Sequence, residues 1–323
     1  TLPNLIIQYE KGKIKLDTKL SSMLPMFKKS NKANITFLDI LTHQARLQPW
    51  EPFYKATLNS AGFPAELYYR KTYTEEFPIQ VTENLFLRKD YNDTIMKVIA
   101  DSDLLPKKEY KYSDFSFILM KEYLERITSK KLDVLAEDNF YSFLGANSMT
   151  YNPLRKFDMR YIAPTEIDNY YRYTTIQGYV HDMGAAMQGG VSGHAGLFSN
   201  ALDVAKMMQM YLQKGFYGGK RYLKPETITK FNKRYFSEVN VRRGLGFDKP
   251  QIDPAEKATC GCVSEESFGH SGFTGTYTWA DPVSRIVYVF LSNRVYPTME
   301  NDGLVKHNMR TKIQQIIQNA IID

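Results

Sequence analysis

The amino-acid sequence predicts an α+β fold in which a mainly helical part precedes an antiparallel sheet. Apolar residues recur at helical spacing over residues 2–11 and 115–127, residues 267–280 alternate like a strand, and residues 304–322 form a last amphipathic segment. Helices followed by antiparallel strands indicate helices flanking one sheet. We divide the chain into a helical lobe with long loops, residues 1–235, and a sheet lobe with a C-terminal helix, residues 236–323, as two lobes of one domain.

The helical part contains three well-marked helices. Leu2–Lys11 ends at Gly12, a frequent helix stop. A second helix follows Ser113-Asp114, and a third begins at Ser199 or Asn200 and ends before Gly215. Between them the pattern predicts short helices at 20–27 and 35–47, long loops with short helices over 48–110, and loops over 137–198. The buried faces of the second and third helices are predicted to carry Phe115, Ile118, Leu119, Tyr123, Ile127 and Val204, Met207, Met208, Tyr211, Leu212.

The last 60 residues predict a hairpin and a terminal helix. A strand over Ser267–Ala280 and a strand over Arg285–Asn293 are joined by the turn signal Asp281-Pro282-Val283-Ser284. The terminal helix, 304–322, is predicted to bury Met309, Ile313, Ile316, Ile317 and Ala320.

Composition excludes some classes of partner. The net charge is +7, but the basic residues are dispersed and form no helix interleaved with aromatics, so nucleic acid is not expected. The longest apolar run, Ile286–Leu291, is far too short to span a bilayer, and the first residues do not form a signal peptide. Cys260 and Cys262 are too few for a disulfide framework or a zinc site, and a disulfide between them would be strained.

Three groups of residues are candidates for chemistry. His270-Ser271-Gly272 lies in a strand-like run flanked by Gly269 and Gly275, which suggests that something approaches the backbone closely; a bulged strand with a surface histidine fits equally well. Tyr112-Ser113-Asp114 begins a helix, where a cap is the simpler interpretation. His181-Asp182 and His194 could ligate a metal, but no third ligand falls at helical spacing, so we expect structural histidines and neither metal nor cofactor.

In combination, these stretches resemble the serine β-lactamase and penicillin-binding-protein family, in particular its class C β-lactamase and esterase branch. The matching elements follow the family's order along nearly the whole chain. They are Ile35-Thr36 with Ile40-Leu41-Thr42-His43, Tyr112-Ser113-Asp114, Ile162–Glu166, Gly178–Asp182, Gly193–Ser199, Leu245-Gly246-Phe247, His270-Ser271-Gly272 and Leu291–Val295. Three of these segments are typical of a subgroup of bacterial cell-wall proteins, some of them fused behind a family 3 N-acetylglucosaminidase-like domain. They are Ile162–Glu166, Gly178–Asp182 and Gly193–Ser199.

The resemblance implies a serine hydrolase of β-lactamase, D-alanyl peptidase or esterase type that works through an acyl-enzyme in the periplasm or cell envelope. Tyr112 would be the general acid/base and Asp114 would orient a lysine or the substrate. His270 would hydrogen-bond near Tyr112 or to a substrate carboxylate. Ser271, Gly272 and Phe273 would line the substrate, with the Phe273 N–H as half of the oxyanion hole. The implied partner is a small-molecule, ester or peptidoglycan-peptide substrate.

One family element is absent from this sequence. No serine is followed three residues later by lysine, whereas the family's nucleophile lies in Ser-x-x-Lys. In relatives that motif falls just before the segment matching Thr1-Leu2-Pro3. We therefore expect that the chain starts after the nucleophile, lacks the first strands of the family's sheet and is itself inactive. The alternative is a non-catalytic wall-binding or scaffolding domain, and a metal hydrolase built on His181 and His194 is a third hypothesis.

Overall fold

Helices precede the main sheet in the computed structural model, which describes residues 1–321. The order of elements confirms the predicted α+β class. The α-helices are α1 Leu2–Glu10, α2 Leu20–Met23, α3 Phe37–Leu41, α4 Tyr91–Asp101, α5 Asp114–Thr128, α6 Leu132–Ala136, α7 Ser142–Leu144, α8 Met183–Ala186, α9 Ala201–Leu212, α10 Pro225–Asn232, α11 Gly303–Lys306 and α12 Met309–Asn319. The strands are β1 Tyr69–Arg70, β2 Ile79–Thr82, β3 Leu85–Leu87, β4 Thr150–Tyr151, β5 Pro164–Asp168, β6 Thr174–Gln177, β7 Leu197–Phe198, β8 Phe216–Tyr217, β9 Lys220–Arg221, β10 Phe268–Ser271, β11 Tyr277–Asp281 and β12 Ile286–Phe290.

The main sheet is antiparallel with the order β10-β11-β12. The predicted hairpin between residues 277 and 290 is confirmed, with Tyr277 opposite Phe290. The predicted single strand over 267–280 is wrong, because the chain turns between β10 and β11. That turn is closed by the Gly272 N–H donating to the Thr276 oxygen at 2.8 Å, and Gly275 takes a φ of +99° that favours glycine.

Gly269 has a role different from the predicted one. A side chain there would collide with the Thr278 carbonyl and the Trp279 ring of the neighbouring strand β11. The neighbouring strand β11 therefore occupies the space beside Gly269. On its other edge, β10 is bridged to the segment after Leu245-Gly246-Phe247, where the Asp248 N–H and the Gly269 oxygen lie 3.0 Å apart.

The hydrophobic core lies between the helices and one face of this sheet. Helix α9 contacts β11 and β12, and Ala280 joins the same buried cluster as the helical residues. On the opposite face Tyr277, Trp279 and Tyr288 pack against Ile313 and Ile317 of α12. The sheet is thus flanked by helices on both faces, and residues before and after position 235 share one core. The division at 235/236 stays a prediction.

The helices predicted from long periodic segments are confirmed, and three other expectations are wrong. α1, α5 and α9 have the predicted places, and the predicted core residues of α5 and α9 are buried or partly buried. The predicted helix over 35–47 shrinks to α3, and 48–110 contains a three-stranded sheet and the eleven-residue α4. The terminal helix breaks before Met309, where Asn308 has a φ of 53°. Met309, Ile316 and Ala320 are exposed, and Ile322 lies outside the described residues.

Cys260 and Cys262 form a disulfide, although the sequence suggested strain between residues so close. It lies in a loop whose Cys260 N–H donates to Gln314 of α12 at 3.0 Å. Among residues 1–321, no helix is long and apolar enough to cross a membrane.

Candidate functional site

The start of α5 does not use its polar side chains as a helix cap. Ser113 occupies the cap position, but its hydroxyl donates to the Gln48 carbonyl at 2.6 Å and its N–H donates to Nδ1 of His43 at 3.2 Å. The interpretation of Tyr112-Ser113-Asp114 as a simple cap is therefore wrong. These bonds fix the backbone between Tyr112 and Asp114, so both side chains are held in place at the first turn of the helix.

Tyr112 faces His270 from across the boundary between the helices and the sheet. Their ring centroids lie 5.9 Å apart in an edge-on arrangement. Burial, assisted by the Asp114 carboxylate, raises the pKa of Tyr112 far above its ordinary value, although the Arg243 cation acts in the opposite direction. The phenol is protonated at neutral pH in this structure, and the two predicted residues lie together.

His270 is a neutral imidazole with a defined tautomer. The Ser271 N–H donates to Nδ1 of His270 at 2.9 Å, so Nδ1 carries no proton and Nε2 is the N–H donor. Burial, with the nearby Arg243 cation, lowers the pKa of His270 to about 4. His270 can therefore donate one hydrogen bond at pH 7 but supplies no fixed positive charge.

Two further residues, missed by the sequence analysis as site residues, pack on Tyr112. The His43 ring centroid lies 4.5 Å from that of Tyr112, and the Arg243 guanidinium carbon lies 5.9 Å from it. Arg243 is 1% exposed, and its Nη1 is 3.4 Å from Asp248. The sequence offered one signal for both residues, which is their position near segments that resemble the family. His43 is the last residue of one such segment, and Arg243 lies two residues before another. The fixed cation of this site is thus Arg243.

The turn after His270 presents a backbone donor to solvent. Phe273 is exposed, and within residues 1–321 its N–H makes no hydrogen bond. Its ring is nevertheless held, because it stacks on His181 with centroids 5.7 Å apart and lies 4.6 Å from the Arg294 guanidinium carbon. An unpaired N–H on a fixed turn is what an oxyanion hole requires. Ser271 and Gly272 lie on the same turn, and Ser271 also borders a charged cavity of about 340 Å³.

His181 is tied to Glu166, which anchors the wall behind Phe273. Oε2 of Glu166 lies 2.8 Å from both His181 Nε2 and the Tyr170 hydroxyl, and Oε1 accepts from the Met299 N–H at 3.1 Å. Burial opposes ionisation of Glu166, but the bonds from His181 and Tyr170 outweigh it and lower its pKa. His181 is a satisfied structural histidine, as the sequence analysis favoured.

His194 is paired with a different carboxylate and lies beside Asp114. Its Nε2 is 2.9 Å from Oδ1 of Asp182, and the ligand atoms of Asp114, Asp182 and His194 all lie within 4.8 Å of one another. The third side chain of this group, Asp114, comes from α5, far away in sequence, so no local spacing could reveal it. These three side chains are the described group that could hold a metal ion. His181 does not belong to it, which removes the basis for a site built on both histidines.

The protonation of the two carboxyl groups beside His194 differs. Burial raises the pKa of Asp114 to about 6, although His194 acts to lower it. Asp182 is half-buried, which acts to raise its pKa, but the charge and hydrogen bond of His194 outweigh this effect and lower the pKa to about 2. Asp114 therefore titrates near neutral pH while Asp182 stays ionised.

Comparison with known proteins assigns the family. The Beta-lactamase family model matches residues 5–307, so the chain belongs to the β-lactamase family, with its serine β-lactamase and penicillin-binding-protein fold. A Salmonella gallinarum protein named as a D-alanyl-D-alanine carboxypeptidase is 31% identical over 311 residues, which cover 90% of this chain and 66% of that protein. The chain thus spans just under two thirds of the length of the curated relatives it matches.

Solved structures support the same fold at low sequence identity. EstA from Arthrobacter nitroguajacolicus is 16% identical, with a TM-score of 0.59 and coverage of 99% of this chain and 83% of EstA. A D-stereospecific amidohydrolase from Streptomyces is 19% identical, with a TM-score of 0.57 and coverage of 87% and 75%. The family resemblance inferred from sequence is confirmed at this level, and the chain has the fold of a hydrolase family.

Proposed function

We propose that this chain forms the proton-transfer side and the oxyanion wall of a serine acyl-hydrolase cleft. The observation that carries the proposal is the juxtaposition of Tyr112 and His270, 5.9 Å apart, beside the unpaired Phe273 N–H. A hydroxyl that moves a proton and a backbone donor that binds a developing oxyanion are the two requirements of acyl transfer besides a nucleophile.

The proposed roles follow from these contacts. Tyr112 carries the proton between the nucleophile and the leaving group, and His270 donates from Nε2 to the substrate or to Tyr112. Asp114 orients the lysine or substrate group, and Ser271 and Gly272 line the bound chain. The Phe273 N–H is half of the oxyanion hole, where losing one donor costs roughly 3–4 kcal/mol of transition-state stabilisation.

The charges in the site bear on the class of substrate. A neutral His270 is a poor fixed cation for a carboxylate, which β-lactams and D-alanyl peptides both carry, so His270 favours neither of these two over the other. The name of the Salmonella relatives supports a peptide ending in D-alanyl-D-alanine. The class C and esterase branch, a cell-envelope or periplasmic location and an upstream glycosidase-like domain are proposed on the resemblance alone.

Acyl transfer also needs a nucleophile, and this sequence contains no Ser-x-x-Lys. We propose that this chain by itself binds substrate but forms no acyl-enzyme. The same absence favours a second candidate function, a wall-binding or scaffolding domain that kept the cleft without the chemistry. The gene sequence directly before Thr1 separates the two, because Ser-x-x-Lys there supports the hydrolase and its absence supports the binder.

Two measurements on the chain test the proposal. Incubation with a fluorescent penicillin and an activated ester is expected to give no covalent label and no turnover; a stoichiometric label would show that a nucleophile is present after all. Calorimetric titration is expected to show binding of an N-acyl-D-alanyl-D-alanine peptide and weaker binding of the L,L peptide. Equal binding of both peptides, or of neither, would contradict a substrate cleft.

A further inference from the structure

The disulfide between Cys260 and Cys262 joins two residues that are only two positions apart in sequence. In the chain-entropy account, the stabilisation that a disulfide gives grows with the length of the loop it closes. The ring closed here contains one intervening residue, Gly261. The disulfide therefore restricts the unfolded chain far less than a link between distant segments would, and cross-linking of the fold does not account for this pair of cysteines.

Hydrogen bonds anchor the chain on both sides of the disulfide without its help. Before Gly261, the Cys260 N–H donates to Oε1 of Gln314 on α12 at 3.0 Å. After Cys262, the Ser264 N–H donates to Asp281 at the end of β11 at 2.8 Å. Both acceptor side chains are buried. Because cleavage of the sulfur–sulfur bond leaves both anchors in place, we expect the fold to survive reduction.

The two cysteines differ in their access to solvent. Cys262 is exposed, as is Gly261 before it, whereas Cys260 is half-buried where its backbone binds α12. In thiol–disulfide exchange a thiolate attacks one of the two sulfurs, and the rate depends on access to that sulfur. A thiolate that arrives from solvent therefore reaches Cys262 more readily than Cys260.

A backbone hydrogen bond favours Cys260 as the sulfur that leaves. The Cys262 N–H lies against Cys260 Sγ and donates to it at 3.2 Å. A donor at this position stabilises the negative charge that develops on Cys260 as the sulfur–sulfur bond breaks. Exposure and hydrogen bonding thus favour the same direction of attack.

We propose that Cys260–Cys262 is an exchangeable disulfide that reacts with low-molecular-weight thiols, in which the incoming thiolate attacks Cys262 and Cys260 leaves. This is a second reactive site of the protein, and it lies in a loop of the sheet lobe. It depends neither on the pair Tyr112 and His270 nor on the nucleophile of acyl transfer.

The exchange is balanced in two steps. In the first step a thiolate forms a bond to Cys262 Sγ, the bond between the two cysteines breaks, and its electron pair stays on Cys260 as a thiolate. In the second step another thiolate attacks the sulfur of the attached group and releases Cys262. Two thiols are thereby oxidised to one free disulfide, the protein disulfide is reduced to two thiols, and the protons of the two thiols end on the cysteines.

A brief incubation of the intact chain with reduced glutathione, followed by alkylation and peptide mass spectrometry, tests the direction of attack. Among singly glutathionylated chains we expect an about fivefold excess of the adduct on Cys262, which is the effect of one hydrogen bond of ordinary strength. The same reaction in guanidinium chloride is the matched control. Both cysteines are exposed in the unfolded chain, so the preference for Cys262 is expected to disappear there.

Three results would overturn the proposal. A folded chain that stays unmodified at glutathione concentrations that modify the unfolded chain would show that the disulfide is closed to thiols. Equal adducts on both cysteines, or more on Cys260, would contradict the direction of attack. A fall of more than about 5 °C in the midpoint of thermal unfolding on reduction would make the disulfide a structural cross-link instead. These measurements use the wild-type chain, and their outcome does not depend on whether a D-alanyl peptide binds.

Discussion

Replacing Asp114 by asparagine tests the electrostatics at the start of α5. The substitution keeps the shape of the side chain and removes its charge. Burial raises the pKa of Asp114 from 3.8 to about 6. The folded state therefore holds the carboxyl proton more tightly than the unfolded chain does. This group favours folding fully below pH 3.8, and its contribution is lost as the pH rises through 6.

The size of the effect follows from the shift. About 2 pKa units at 1.36 kcal/mol each correspond to roughly 3 kcal/mol. Asp114→Asn has no proton to lose, so we expect it to exceed the wild type in free energy of unfolding by up to about 3 kcal/mol at pH 8, about half of that at pH 5 and little at pH 4.

Urea unfolding of both proteins across this pH range measures the difference. Asp17→Asn is the matched control, because Asp17 is exposed, and we expect a change within about 0.5 kcal/mol at every pH. A variant that is less stable than the wild type at pH 8, or a difference in free energy of unfolding that does not vary with pH, would show that folding does not raise the pKa of Asp114.

Three other substitutions probe the framework of the site. A side chain at position 193 in Gly193→Ala would overlap the Phe117 carbonyl. We therefore expect urea unfolding to show a loss of about 1–3 kcal/mol in free energy of unfolding, and nitrogen-15 NMR to show a shift of the His194 ring signals. Arg172→Met would leave the buried Asp168 without its 2.7 Å partner, and we expect thermal unfolding to show a loss of about 3–5 kcal/mol. Trp279→Phe removes a buried N–H donor and part of the packing under α12, and we expect urea unfolding to show a loss of about 1–3 kcal/mol.

The local pattern of apolar residues was sufficient to predict helices that bury one face along a single continuous segment. α5 and α9 are long, periodic and bounded by polar or glycine positions, so their places follow from the sequence. The break between β10 and β11 was missed because Gly269 and Gly275 were interpreted as positions where something approaches a continuous strand, whereas Gly275 forms a turn with Gly272. The three strands between residues 69 and 87 are too short to show an alternation of apolar and polar residues.

The site was predictable only in part, for a physical reason. Tyr112 and His270 were found through motifs that the family keeps in order, and the structure brings them together. The pairing of Asp182 with His194 joins residues twelve apart whose approach depends on a glycine pressed against another helix. Arg243 carries the fixed charge of the site, but its nearness to the matched segment Leu245-Gly246-Phe247 does not distinguish it from the adjacent Arg242. Such contacts are set by tertiary packing.

The most direct test of a substrate cleft is the amide NMR shift of Phe273 during titration with an N-acyl-D-alanyl-D-alanine peptide. The proposed oxyanion wall requires the largest shifts at Phe273 and at Ser271, two residues before it, with smaller shifts for the L,L peptide at the same concentration. Shifts confined to residues away from this turn and from Tyr112, or identical shifts for both peptides, would contradict the assignment of this turn as the wall that binds the substrate carbonyl.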